Sequence, residues 1–548
     1  MKQQTTVAGP MHRGVYTPAR LPLWSLQLVL AGALVTFLPA CQGLKSAALR
    51  PDASRTAASL ERARLAWQIM QEEKPGDVPA PKVLRMYNRS VNNLVESLRG
   101  YEGTAAWGRE IQVGGARPWR ITLDAPAGRG ATRTLALAEF AHCQLASDVK
   151  VRNFDRVVSH DGLGVPVVLA QDDPRRVAQA FHPPQGEFLP ATAVLEFPAA
   201  VPGHPAGARL RFYNPLVVSD LTVGQHPRPL AENITAALQS SLTDETLDAG
   251  EPRQQVASAS GEKESQLFFL NRYDRARVPV VFVPGLRCGP SVWKNSVNEI
   301  YADPGLRRKY QPVCFIYPSK LPVPVSAARL RELLERSRHM LDPGHEDAGF
   351  DHMVLVGHSM GGLLARLQVT DSSGTDFWHS FFSATPREIA GRIDAKTQRV
   401  VKKALFFQRQ PNIKLIVFIC TPHRGSDLAD VPVVRAATRI FFLLPGTALH
   451  RLHALENLPK SYKNPALREF YDSGVDGTES LSTRHPFFRA LSRHPVPVTF
   501  HSIIATRGAA DFRKSSDGVV ACWSAHLDGA ASETLVPYAH GCLENRER

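Results

Sequence analysis

Residues 353–364 read M-V-L-V-G-H-S-M-G-G-L-L. An apolar run halts at Gly357, and Ser359 follows between His358 and Met360. Gly361 and Gly362 come next, and Leu363, Leu364 and Ala365 then open a helix-like run. A serine at the tip of a sharp strand-to-helix turn needs small residues beside it, because larger ones would collide with the turn. A bare G-x-S-x-G pattern is common to many small-residue turns. With a buried strand before it and a helix after it, the pattern marks Ser359 as a candidate nucleophile. Backbone N–H groups at the helix start could stabilise an anion there.

The surrounding chain supports a sheet enzyme rather than a nucleic-acid reader. It has 548 residues, enough for several domains, and a formal net charge of +14. Arg and Lys are scattered along it, with only short clusters such as Arg307-Arg308-Lys309 and Lys402-Lys403. A nucleic-acid module would gather that charge into a stripe, so no nucleic-acid partner is expected. A solvated basic surface is the plain reading, and attraction to an anionic membrane face is the sharper one.

Lys2, Arg13 and Arg20 precede an uncharged run, L-P-L-W-S-L-Q-L-V-L-A-G-A-L-V-T-F-L-P-A, that ends at Cys41. This is the build of a secretory signal. Its Leu38-Pro39-Ala40-Cys41 ending resembles a bacterial lipobox, which implies cleavage before Cys41 and lipidation of it. Pro39 departs from the preferred residue type. An uncleaved anchor and simple secretion are the alternatives. Each puts the rest of the chain outside the cytoplasm, and lipidation would hold it in the cell envelope as a membrane-anchored lipoprotein. Disulfides are permitted there, and a Cys522–Cys542 bridge is one candidate.

We divide the chain into a signal over 1–40, a tether with helices over 41–104, a β-rich domain over 105–239, a linker over 240–265 and a catalytic domain over 266–548. Helices are expected over 54–73 and 82–99. Short alternating runs such as W-R-I-T-L and A-R-L-R-F-Y between turn residues make the next segment β-rich. From 266 onward near-continuous apolar strands (V-P-V-V-F-V, P-V-C-F-I-Y, M-V-L-V, K-L-I-V-F-I, V-T-F-H-S-I-I-A) alternate with helical stretches. That is the signature of an α/β fold with a mostly parallel sheet covered on both faces. Its chemistry should sit beyond the C-terminal strand ends.

Serine needs a base and a carboxylate to orient that base, and candidates for both follow Ser359 in the chain. Asp517, in S-S-D-G-V-V, is the favoured acid over Asp511. His540, in L-V-P-Y-A-H-G, follows a strand-like run and is favoured over His526. The amides of Met360 and Leu286 are the expected oxyanion donors.

With those residues in place, the C-terminal half resembles the α/β-hydrolase superfamily, especially its lipases and carboxylesterases. The resemblance is carried by V-F-V-P-G-L, V-L-V-G-H-S-M-G-G-L, F-I-C-T-P-H-R-G-S, D-G-V-V and Y-A-H. It implies a serine esterase that needs no cofactor and no metal and acts on an ester or lipid substrate. Many such lipases carry His-Gly where this chain has Pro284-Gly285. The donor there is a backbone group, so the exchange leaves charge stabilisation intact. His423, in T-P-H-R-G-S, reads as a turn residue beside the site. Eight residues follow His540, fewer than that superfamily's closing helix needs. Helical cap inserts are expected near 371–410 and 427–495, either lining an acyl site or packed on their own core. The stretch H-M-L-D-P-G-H-E-D-A-G-F-D-H lacks metal-ligand spacing and reads as a solvated loop. Two other functions fit the sequence: acyl transfer by the same triad, and a non-catalytic surface protein.

Overall fold

The computed structural model describes residues 53–74, 81–113, 119–123, 133–171, 181–198, 206–242, 265–318, 321–372, 376–426, 458–462, 464–465, 486–508, 511 and 514–543. Cys41, the signal segment, and most of the linker and of the second insert lie outside them. Among the described residues no helix is long and apolar enough to cross a membrane.

Helices form at Ala53–Glu72 and Pro81–Leu98, as their apolar spacing predicts. The second buries Tyr87, Val91, Leu94, Val95 and Leu98 along one face. That face meets a mixed sheet of seven strands: β1 (Glu110–Val113), β2 (Trp119–Leu123), β3 (Thr134–Leu135), β4 (His142–Leu145), β6 (Val165–Gln171), β7 (Glu187–Glu196) and β8 (Ala206–Tyr213). Two short pairs stand apart: β5 (Ser159–His160) with β11 (Glu232–Asn233), and β9 (Asp220–Val223) with β10 (His226–Pro229). Trp67, Tyr87, Ile121, Leu169 and Leu195 share one core, so the helices and the β-rich segment fold around the same interior. Tyr87 fastens them: its hydroxyl donates to the Leu195 carbonyl and accepts from the Leu195 amide, both at 2.8 Å.

The second sheet has the order β12 (Gln266–Phe269), β14 (Tyr310–Ile316), β13 (Val278–Val283), β15 (Met353–His358), β16 (Ile413–Ile419), β17 (Thr499–Ala505), β18 (Ser532–Val536). Only the edge strand β12 runs antiparallel to its neighbour. The apolar runs fit because both faces are covered. Val281, Val283, Phe315 and Leu355 point into one core with Leu330, Leu334 and Leu363. Val280, Phe282, Cys314 and Ile316 point into another with Trp293 and Val297. The helix Ile234–Ser241, at the expected linker boundary, covers this second face with Ile234 and Leu238. Its Ala236 and Ala237 pack on Val168 of the first sheet.

A mostly parallel sheet in this order, with the strand that leads into Ser359 at its centre, is the α/β-hydrolase fold. The insert after β15 adds short helices at Asp376–His379, Pro386–Ala390 and Ala395–Leu405. Its aromatic residues Phe377, Trp378, Phe381 and Phe382 turn inward and join the core under the sheet. This part of the insert is therefore packed rather than laid open.

Candidate active site

Ser359 sits one residue past β15, with φ of 53° and ψ of −126°. That backbone is strained for a residue with a Cβ, and it lifts the side chain above the sheet. The flanking glycines are required by space. A Cβ on Gly361 would lie 2.1 Å from the Val283 carbonyl oxygen, and one on Gly357 would lie 2.5 Å from the Gly362 Cα. The turn is fixed to the neighbouring strand by the Ser359 amide, which donates to the Ile419 carbonyl at 2.8 Å.

The structure brings Ser359, His540 and Asp517 together. The Ser359 hydroxyl lies 2.8 Å from His540 Nε2, and His540 Nδ1 lies 2.7 Å from Asp517 Oδ2. Asp517 follows β17, and His540 follows β18, so all three project beyond the C-terminal strand ends. Asp517 is buried, and its Oδ1 accepts from the Val519 and Val520 amides at 2.8 and 2.6 Å. Burial opposes its ionisation. The His540 hydrogen bond and charge, together with those two amides, outweigh burial and hold the carboxyl below its ordinary range. The His540 amide donates back to the Asp517 carbonyl at 2.9 Å, so the two loops clasp each other.

The rival residues lie elsewhere. Asp511 pairs with Lys514 at 3.9 Å in an exposed turn. His526 is held between Glu533 (2.8 Å) and Asp528 (3.2 Å), and the Glu533 hydrogen bond raises its pKa. Neither meets Ser359.

Met360 opens the helix Met360–Arg366, so its amide has no carbonyl partner within the helix. Leu286 is in the loop after β13, and that loop presses on the elbow: a Cβ on Gly285 would lie 3.1 Å from Ser359 Cβ. The exchange of His-Gly for Pro284-Gly285 leaves the loop anchored, because the Tyr317 hydroxyl donates to the Pro284 carbonyl at 2.8 Å.

Sequence reasoning passed over two residues here. His358 sits within the motif, and its Nε2 donates to the His540 carbonyl at 2.9 Å, holding the His540 loop from behind. Burial, then the charge of His540, push its pKa down to about 4, so the ring is neutral. Tyr317 is the other; its strand-end position after β14 was the available signal. His423 is fully buried, edge-on to Phe418, with its Nδ1 3.4 Å from Arg366, as a turn residue under the site would be.

Six cysteines are among the described residues, and each carries a thiol. The Cys522–Cys542 bridge is not formed. Cys522 is buried, with its thiol 3.6 Å from the Ala505 carbonyl, whereas Cys542 Sγ lies 3.8 Å from Cys420 Sγ. Among the described residues, one group has metal-ligating atom types close together: His358, Cys420 and His540. Both His540 nitrogens are already engaged by Ser359 and Asp517, so a cation could enter only by dismantling that chain of hydrogen bonds.

No protein-family model and no curated protein matches the chain. Among solved structures it is similar to a lipase of Bacillus licheniformis in its propeptide form, with 16% identity and a TM-score of 0.28 over 50% of this chain and 48% of that one. It is also similar to EstA of Clostridium botulinum, with 14% identity and a TM-score of 0.28 over 49% and 83% of the two chains. A metagenomic carboxyl esterase gives 18% identity and a TM-score of 0.26 over 48% and 65%. The chain thus spans about half the length of the first of these. The grounds for the α/β-hydrolase fold are the strand order and the turn at Ser359.

Proposed function

We propose that the protein is a serine hydrolase of carboxylic esters. The observation that carries this reading is the unbroken path from Asp517 Oδ2 through His540 to the Ser359 hydroxyl, two contacts of 2.7 and 2.8 Å. His540 takes the Ser359 proton as the hydroxyl attacks the acyl carbonyl, and it returns the proton to the leaving alcohol. Asp517 fixes the His540 tautomer and balances the imidazolium. The Met360 and Leu286 amides receive the oxyanion. Water, deprotonated by His540, then releases the acid from the acyl-enzyme. Lipid and other acyl esters are the first substrates to try. The N-terminal segment adds a membrane-tethered, extracytoplasmic location through a lipidated Cys41, to be tested by detergent-phase partitioning that is lost in Cys41→Ala.

The test of the activity is a panel of p-nitrophenyl esters from acetyl to palmitoyl, assayed with wild type and Ser359→Ala. The expected result is turnover that falls by about 10⁴- to 10⁶-fold in the variant. Equal turnover by the two proteins would end the assignment.

A further inference from the structure

Beyond the triad, two thiols face each other directly behind the base. Cys420 is the first residue past β16, and its amide donates to the Ile503 carbonyl at 2.9 Å, which fixes it to the sheet. Its neighbour Ile419 accepts the Ser359 amide, so Cys420 is one peptide away from the elbow's anchor. Cys542 is two residues past His540. With Leu543 it packs on the cluster containing Ile419, Cys420 and Ala505. The two sulfurs are 3.8 Å apart, in van der Waals contact and short of a bond of about 2.05 Å.

We propose that Cys420 and Cys542 form a disulfide when the chain meets a disulfide oxidant, and that this bridge clamps the His540 loop to the strand end beside Ser359. The loop otherwise depends on hydrogen bonds: the His540 amide to Asp517, and His358 Nε2 to the His540 carbonyl. A covalent tie two residues beyond the base would limit its drift from Ser359. The partner chemistry is a low-molecular-weight disulfide such as glutathione disulfide. Cys542 is the attacking sulfur, because it is the less buried thiol and its pKa is held down by the contact with Cys420, whereas that contact and burial push Cys420 up. Its thiolate displaces one glutathione thiolate and leaves a mixed disulfide. The Cys420 sulfur, losing its proton, then attacks Cys542 Sγ and displaces the second. Two protein thiols are oxidised and one glutathione disulfide is reduced to two thiols.

The bridge would close a loop between residues 122 positions apart, which is long enough for a large effect on the unfolded chain. The full chain is incubated with glutathione disulfide, denatured, alkylated with iodoacetamide and digested without reductant. The expected product is a peptide pair joining Cys420 to Cys542. Adding a reductant should lower Tm by about 3–8 °C. Cys542→Ser should show the lower Tm with or without reductant. Reduction should also lower kcat on an ester at unchanged KM, as loss of base positioning predicts. Alkylation of both cysteines after oxidation would overturn the proposal, as would a bridge to any other cysteine or an unchanged Tm on reduction. The turnover readout rests on the proposed esterase activity; the peptide map and Tm do not, so a chain without esterase activity would still decide the bridge.

Discussion

Replacing Asp517 by Asn probes the orientation of the base without emptying the site. Asp517 Oδ1 accepts from the Val519 and Val520 amides, and only an oxygen can do so. In Asp517→Asn the amide oxygen must therefore keep that place, which turns the NH₂ group toward His540 Nδ1. A donor there favours the tautomer with the proton on Nε2, and that nitrogen then cannot accept the proton of Ser359. The variant also loses the negative charge 2.7 Å from the ring that becomes an imidazolium in the transition state. A loss of both effects corresponds to about 10³- to 10⁴-fold in kcat, or roughly 4–5.5 kcal/mol of barrier. The assay is kcat and KM on p-nitrophenyl butyrate, with Tm measured on the same samples. The retained amide contacts should keep Tm within about 2 °C. Asp511→Asn should change kcat less than about 2-fold, because Asp511 pairs with Lys514 in an exposed turn. A loss under 10-fold in Asp517→Asn, or equal losses in both variants, would refute the reasoning.

Three further outcomes follow from the same geometry. His358 takes its proton at about pH 4 when folded and near pH 6.5 when unfolded, so the unfolded chain binds more protons between those values. Its contribution to stability is full above pH 6.5 and is lost as pH falls toward 4. It amounts to about 3 kcal/mol at most, and urea midpoints of wild type and His358→Gln across pH 4.5–7.5 should diverge accordingly. Gly361→Ala should cost at least about 3 kcal/mol or prevent folding, because the new methyl would meet the Val283 carbonyl oxygen at 2.1 Å; a Tm near that of wild type would contradict the packing. Tyr317→Phe frees the Pro284 carbonyl and so loosens the Leu286 loop. We expect kcat to fall about 10-fold with KM unchanged and stability to fall by about 1 kcal/mol, read by steady-state kinetics and urea unfolding.

Much of the C-terminal half was legible because its signals are local. The glycines around Ser359 report a turn that tolerates no other residue. Near-continuous apolar strands report a sheet covered on both faces, and Asp517 and His540 each follow a strand. The N-terminal region was harder to partition. Its two helices and its β-rich segment differ in texture but share one core, through contacts such as Tyr87 with Leu195 that are 108 positions apart. Likewise the helix Ile234–Ser241 serves both sheets, which no boundary drawn from composition could foresee. The approach of Cys420 to Cys542 was out of reach for the same reason. Proximity along the chain favoured Cys522 for Cys542, whereas parallel strands carried Cys420 beside it. His358 was read as part of a turn, and its support of the His540 carbonyl emerges only once a loop 182 positions away returns to the elbow.

The most direct test of the central claim is the site of modification by a fluorophosphonate, which bonds only to a serine whose proton has an acceptor. Intact-mass and peptide analysis should find one adduct on Ser359 in the wild type. Labelling should be absent in Ser359→Ala and slowed at least 10³-fold in His540→Ala. An unlabelled wild type, or a label on Ser359 that forms equally fast without His540, would contradict the account.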